Sequence, residues 1–316
     1  MHILITGGAG FIGSKIAQYL IDRGDEVSLI DNFNDYYDPS LKRDRISELL
    51  RGKDHILYEG DIRDESFLEK IFSTKSIDKV VHLAAMAGVR SSIEKPLLYE
   101  EVNVRGTMLL LEMVKKYPVK HFVYASSSSV YGNNKKIPFS ENDSVDHPIS
   151  PYAATKKATE LLAHTYKYLY DIPLTGLRYF TVYGPWGRPD MALFTFVRNI
   201  LENKSIDVYN EGRMSRNFTY IDDIVSGTIR VLDTETGLGI MNIGGDREET
   251  LLRFIEVIEE NVGKKAVKNM LPMQPGDVPQ TVADISKLRA LGWEPTTRIE
   301  EGIRSFVAWY RSYYKI

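Results

Sequence analysis

The sequence contains no cysteine, only six histidines and only three tryptophans in 316 residues. Without cysteine there is no disulfide, no thiolate metal site and no cysteine nucleophile. The histidines stand in no ligand spacing, so no metal centre is expected. An excess of charge is missing too. Against 43 acidic side chains stand 40 basic ones, a net charge of -3. That balance offers no footprint for nucleic acid or for an anionic membrane surface. No apolar run reaches the roughly 20 residues that a spanning helix needs. The apolar N-terminal stretch lacks a basic start and is broken by Gly7 and Gly8, so it does not read as a signal sequence. The cytoplasm is the expected location.

What is present is an ordinary globular composition, 43% apolar and 26% charged, with length for a large domain and a smaller one. The first half alternates β-branched runs with amphipathic stretches. Strands are predicted over 2–6, 26–30, 55–58, 79–83, 121–125 and 174–177. Helices are predicted over 11–23, 41–51, 65–73, 97–116 and 151–170. This alternation predicts an α/β fold with a doubly wound parallel sheet. After Tyr179 the rhythm breaks in a Gly- and Pro-rich segment, 184–189. Beyond it, helices are predicted over 193–201, 224–233, 251–261 and 299–313, with a strand over 206–209 and a Pro/Gly loop over 272–279.

Gly7, Gly10 and Gly13 follow the first predicted strand and open a helix that starts at Phe11 and Ile12. Glycines at this spacing allow a tight turn, a close backbone approach to a pyrophosphate and close helix–strand packing. The helix N-terminus then offers N–H groups to the phosphates. Asp31 ends the second strand about 20 residues on, where a carboxylate accepts hydrogen bonds from ribose hydroxyls. Asn32 and Phe33 follow it, with no arginine at once, so NAD is favoured over NADP. Asp61-Ile62 would lie near the adenine, and Leu83-Ala84-Ala85 gives small residues beside the cofactor.

Tyr152 and Lys156 are spaced to share a helix face, and a nearby ammonium favours the phenolate. The spacing alone is weak: with 19 tyrosines, about one such pair arises by chance. A second copy, Tyr131 and Lys135, spans the turn sequence Gly132-Asn133-Asn134, so the facing geometry is not expected there. The first copy has Ser150 as a helix cap and Pro151 at the first helical position. Just upstream, Ser126-Ser127-Ser128-Ser129 ends a parallel strand, where ligands bind.

With these motifs the chain resembles the extended short-chain dehydrogenase/reductase family, and within it the nucleotide-sugar epimerases. The likeness covers essentially the whole chain. It is sharpest to UDP-glucuronate 4-epimerases, in Asp31-Asn32-Phe33-Asn34-Asp35-Tyr36-Tyr37, in Ala87-Gly88-Val89-Arg90, and in the run from Arg178 to Met191 that contains Gly184-Pro185-Trp186-Gly187-Arg188. The resemblance implies a Rossmann-type domain over 1–180, with about 217–245 returning to it. A smaller C-terminal α/β lobe over 181–316 would bind the UDP-sugar. It implies NAD as cofactor, with Asn32, Asn103 and Tyr179 added to the cofactor contacts, and a homodimer through the helices 97–116 and 151–170.

It also implies catalysis by Ser127, Tyr152 and Lys156, with Lys156 holding the nicotinamide ribose. Arg90, Ser128, Ser129, Thr181, Arg188, Arg213, Arg216, Gln274 and Asp277 would bind substrate. The departures narrow the chemistry. Dehydratases of the family carry an Asp-Glu pair where this chain has Ser128-Ser129, so dehydration is disfavoured. Decarboxylases usually keep the Glu. Galactose epimerases place Asn where Thr181 stands and an arginine near Gln274. The expected reaction is 4-epimerisation of UDP-glucuronate. UDP-glucose/UDP-galactose 4-epimerisation, UDP-glucuronate decarboxylation and a non-catalytic NAD-sensing role are the alternatives.

Overall fold

The computed structural model describes residues 1–234, 237–274 and 276–316. The first half runs β1 (His2–Thr6), α1 (Phe11–Asp22), β2 (Glu26–Asp31), α2 (Ser40–Leu49), β3 (Ile56–Glu59), α3 (Glu65–Thr74) and β4 (Lys79–His82). It continues with α4 (Val89–Glu94), α5 (Pro96–Tyr99), α6 (Gly106–Lys116), β5 (His121–Ser127), α7 (Pro151–Tyr170) and β6 (Leu174–Tyr179). The second half holds β7 (Thr181–Tyr183), α8 (Ala192–Leu201), β8 (Ile206–Tyr209), β9 (Ser215–Arg216), β10 (Phe218–Tyr220), α9 (Ile221–Leu232) and β11 (Gly239–Ile243). Then come β12 (Glu249–Thr250), α10 (Leu251–Val262), β13 (Lys268–Leu271), β14 (Gln280–Thr281), α11 (Ser286–Ala290) and α12 (Ile299–Tyr314).

Seven strands form one sheet in the order β11-β6-β5-β4-β1-β2-β3, and every pairing in it is parallel. Its central strands β1, β4 and β6 are buried at every residue, as expected when helices cover both faces. This is the doubly wound sheet that the alternation predicts. From the second half, β11 joins this sheet by pairing on β6, and α9 packs beside α1.

The predicted helix 97–116 is broken. Pro96–Tyr99 leads into a π-helical turn, Glu100–Arg105, before α6. Within this wider turn the Asn103 side chain holds Met86: its Oδ1 accepts from the Met86 amide at 2.8 Å and its amide donates to the Met86 carbonyl at 3.0 Å. A tertiary bond has overridden the helical pattern.

The second half is not a separate core. Phe254, Phe306 and Tyr310 belong to one apolar cluster with Ile3, Ile16 and Leu177. Short pairs that the sequence pattern does not show frame the lobe: β7 with β10, β8 with β13, and β9 between β12 and β14. Among the described residues no helix is long and apolar enough to cross a membrane, and no cluster of side chains could hold a metal ion.

Candidate active site

One cleft of about 810 Å³ runs along the carboxyl ends of the sheet strands, between the sheet and the lobe. At one end lies the glycine loop. Gly7 has φ 71°, and a Cβ there would sit 2.7 Å from the Ala84 amide nitrogen. A Cβ on Gly13 would meet the Gly7 carbonyl oxygen at 2.2 Å. α1 begins here with Gly10 as its N-cap and no side-chain cap on its leading N–H groups. Its leading N–H groups are therefore left for a ligand. A bare helix start and a backbone cradle that side chains would fill suit a dinucleotide pyrophosphate.

Asp31 is buried, and three donors occupy it. Oδ2 accepts from the Ala9 amide at 3.1 Å, while Oδ1 accepts from the Phe33 amide at 2.9 Å and from Lys42 Nζ at 3.1 Å. Lys42 is a cation that the reading of the residues next to Asp31 did not anticipate. It lies 11 positions on, one turn into α2, and Asp31 neutralises it. Asp61 closes this end with Asn32, whose amide donates to it at 3.0 Å. Bonds from the Arg63 guanidinium hold its carboxyl down at about 2. Leu83, Ala84 and Ala85 line the middle, as do Ile62 and Tyr179.

Asn103 does not line the cleft. Its remaining amide proton goes to Thr155 Oγ1 at 3.0 Å, so it braces the Met86 segment from behind.

The reactive constellation lies at the middle of the cleft. Ser150 caps α7 through the Ala153 amide at 3.1 Å, and Pro151 occupies the first turn. Tyr152 therefore projects from the helix start, edge-on to Tyr99 at 6.1 Å. Ser127 ends β5, and its Oγ accepts from the Ser129 hydroxyl at 2.9 Å and the Ser129 amide at 3.2 Å. This leaves the Ser127 proton to donate elsewhere. Lys156 is buried and donates to the Ala125 carbonyl at 2.8 Å. Burial lowers its ammonium to about 8, against the pull of Glu160 one turn on.

Burial pushes the Tyr152 phenol above its ordinary range, and the Ser127 hydroxyl and the Arg188 charge oppose that. Arg188 is a cation beside Tyr152 that the spacing does not announce. The lysine is turned to the strand carbonyl.

Opposite Tyr152 the walls carry Ser128, Ser129, Thr181, Arg188, Arg90 and Asp277. Arg188 is clamped by Asp190 at 3.0 and 2.6 Å and lies over the Tyr36 ring. Arg90 lies over the Tyr209 ring at 5.0 Å and reaches Asp277 at 3.4 Å. Tyr36, Asp190 and Tyr209 are cleft residues that sequence reasoning did not single out as contacts. The first two stand inside the stretches that carry the family likeness.

Three expected substrate contacts lie off the cleft wall. Arg213 is exposed and pairs with Glu211 at 2.9 Å, because its loop turns outward through two left-handed residues, Asn210 and Glu211. Arg216 is bent back onto the carbonyls of Ser215, Val278 and Pro279, and burial lowers its pKa. Gln274 has a buried Oε1 with no partner among the described residues. Pro275 beside it lies outside the described residues.

Comparison with known proteins matches this geometry. Residues 3–244 fit the model of the NAD dependent epimerase/dehydratase family. UDP-glucuronate 4-epimerase 4 of Arabidopsis thaliana is 49% identical, over 99% of this chain and 76% of its own. The crystal structure of UDP-glucuronic acid 4-epimerase from Bacillus cereus, in complex with UDP-glucuronic acid and NAD, is 38% identical. It superposes with a TM-score of 0.93, covering 99% of this chain and 100% of its own. UDP-glucose 4-epimerase from Thermotoga maritima, with UDP-glucose, is 32% identical with a TM-score of 0.91, covering 99% and 100%.

Proposed function

The chain belongs to the NAD dependent epimerase/dehydratase family, and from that footing we propose that it inverts C4 of UDP-glucuronate to give UDP-galacturonate. The observation that carries this reading is the meeting of Ser127, Tyr152 and Lys156 in one cleft with hydroxyls, and no carboxylate, at positions 128 and 129.

NAD, when bound, supplies hydride acceptance and return at C4. The chain's own residues handle the proton. Tyr152 takes the proton of the 4-hydroxyl and later returns it, while Ser127 donates a hydrogen bond to the same oxygen. Lys156 would hold the nicotinamide ribose when the cofactor is bound. The net reaction is isomerisation, because the sugar regains at its other face what it gave up.

A uronate oxidised at C4 is a β-keto acid and loses CO₂ when its carboxylate bond aligns with the carbonyl π system. Hydrogen bonds that hold the carboxylate out of that alignment oppose the loss. Ser128 and Thr181 are the neutral donors open for this. The Ser129 hydroxyl is already given to Ser127. An acid at 128 or 129, which dehydration requires, is missing.

Incubation with UDP-glucuronate and NAD, followed by NMR, tests the reading: UDP-galacturonate is expected. UDP-xylose-type products alone, or turnover of UDP-glucose with none of UDP-glucuronate, would sink it.

The assembly is proposed as a homodimer. Leu97, Leu161, Tyr168 and Leu169 are exposed on α5 and α7, and an apolar patch on neighbouring helices suits an isologous interface. Sedimentation at micromolar concentration gives two protomers if so; a monomer contradicts it.

A further inference from the structure

Two of the stretches that carry the likeness to UDP-glucuronate 4-epimerases, 31–37 and 178–191, are far apart in sequence but meet beside the cleft. Tyr36 donates to Asp190 at 3.4 Å, and Arg188 lies over the Tyr36 ring at 5.4 Å. Behind this contact sits Arg45, on α2, with no solvent exposure at all.

Every N–H group of Arg45 is spent. Nε and Nη2 donate to the Trp186 carbonyl at 3.0 and 2.8 Å, and Nη2 also reaches the Gly187 carbonyl at 3.4 Å. Nη1 donates to the Ala9 carbonyl in the glycine loop at 3.2 Å and to the Tyr37 hydroxyl at 2.6 Å. No carboxylate pairs with it among the described residues. A fully buried guanidinium solvated only by carbonyls and one phenol is costly unless its geometry is used. The turn it holds is itself constrained: Trp186 has φ 66°, a left-handed conformation that a bulky residue rarely adopts. From the other side the Trp186 ring packs on Trp309 and Tyr313, and the Tyr313 hydroxyl bonds Asp44, next to Arg45.

We propose that Arg45 is a positioning residue that ties the glycine loop to the 184–190 turn and thereby fixes Arg188 over the reacting sugar. The planar fork is what the site requires. It reaches four acceptors on three segments at once, and an ammonium with three donors on a point cannot.

This rests on the epimerase reading, so its test is a cycle of variants read beside wild-type binding. Arg45→Lys keeps the charge and loses the fork. With UDP-glucuronate and NAD-loaded enzyme, KM should rise about tenfold or more, as expected for losing charged hydrogen bonds. The kcat per folded molecule should change less. On an Arg188→Met background the same substitution should add less than about twofold, because its effect passes through Arg188. An equal rise on both backgrounds overturns the proposal, as does a lower melting temperature with KM unchanged. If Arg45→Lys does not accumulate as folded protein, Tyr37→Phe removes one acceptor of the fork and enters the same cycle, with about a threefold rise expected. Calorimetric Kd values for UDP-glucuronate separate the two failures. A wild type that binds it without epimerising it defeats the activity, and the cycle is then read from Kd.

Discussion

Tyr152 with Lys156 and Tyr131 with Lys135 share one spacing, and the fold treats them in opposite ways. The Tyr131 hydroxyl donates to Asn242 at 2.7 Å, its ring stacks on Phe139 at 4.7 Å, and the Arg178 guanidinium lies over it at 4.8 Å. Lys135 points into solvent, beyond a turn in which Gly132 has φ 53°. Tyr131 is filled in on every side. Tyr152 instead opens onto the cleft, and its lysine is buried on the same helix. The difference shows that the spacing alone does not place a pair in the cleft; here a capped helix start does so.

The comparison breaks first at Tyr152. Under the proposed mechanism Tyr152→Phe removes the proton acceptor and should lower kcat by about 10²- to 10⁴-fold, with NAD still bound; near-normal turnover would give the role to another group. Next is Glu160→Gln. Glu160 binds Arg178 at 2.8 Å through both oxygens, and both side chains are buried. The variant leaves the guanidinium over Tyr131 without its counter-charge. A loss of about 3–5 kcal/mol in chemical denaturation is expected, and a loss under about 1 kcal/mol would show that the fold does not need the counter-charge.

Lys156→Met sharpens the contrast by its sign. In the fold the ammonium lies at about 8, below its ordinary 10.5. The charged form is therefore the disfavoured one. It costs stability below about pH 8, and the cost lifts as pH rises toward 10.5. The variant should be inactive, yet without cofactor no less stable than wild type at pH 7. The gain, at most about 3 kcal/mol by linkage, should shrink between pH 8 and 10. A variant that melts earlier at pH 7 would mean that the Ala125 bond outweighs the burial cost.

Much of this was legible in sequence for a physical reason. Local patterns mark what local chain chemistry makes. β1, β8 and α7 fall where alternation and capping put them, and Gly7, Gly10 and Gly13 announce a turn whose crowding only glycine allows. What was not legible depends on contacts distant in sequence. Arg216 is a basic residue in the right strand, but its guanidinium bends to carbonyls some 62 residues away. Asn103 sits in a helical pattern that a tertiary bond reshapes. Lys42 reaches Asp31 only because α2 folds back over β2. The pairing of β8 with β13 joins segments with four strands and two helices between them, so the pattern that marks β8 as a strand does not name its partner.

The smallest effects fall on the second copy, and they decide whether it is only scaffold. Tyr131→Phe deletes one buried hydrogen bond and leaves Asn242 Oδ1 without that donor, so about 1–2 kcal/mol of stability should be lost, with kcat and KM within about twofold of wild type. Lys135→Met should change neither stability nor kinetics, since an exposed side chain away from caps and ion pairs moves stability by about ±0.5 kcal/mol. A kinetic defect at Lys135 would mean that this lysine reaches the cleft during turnover. The spacing it shares with Lys156 would then have a use that the folded geometry does not display.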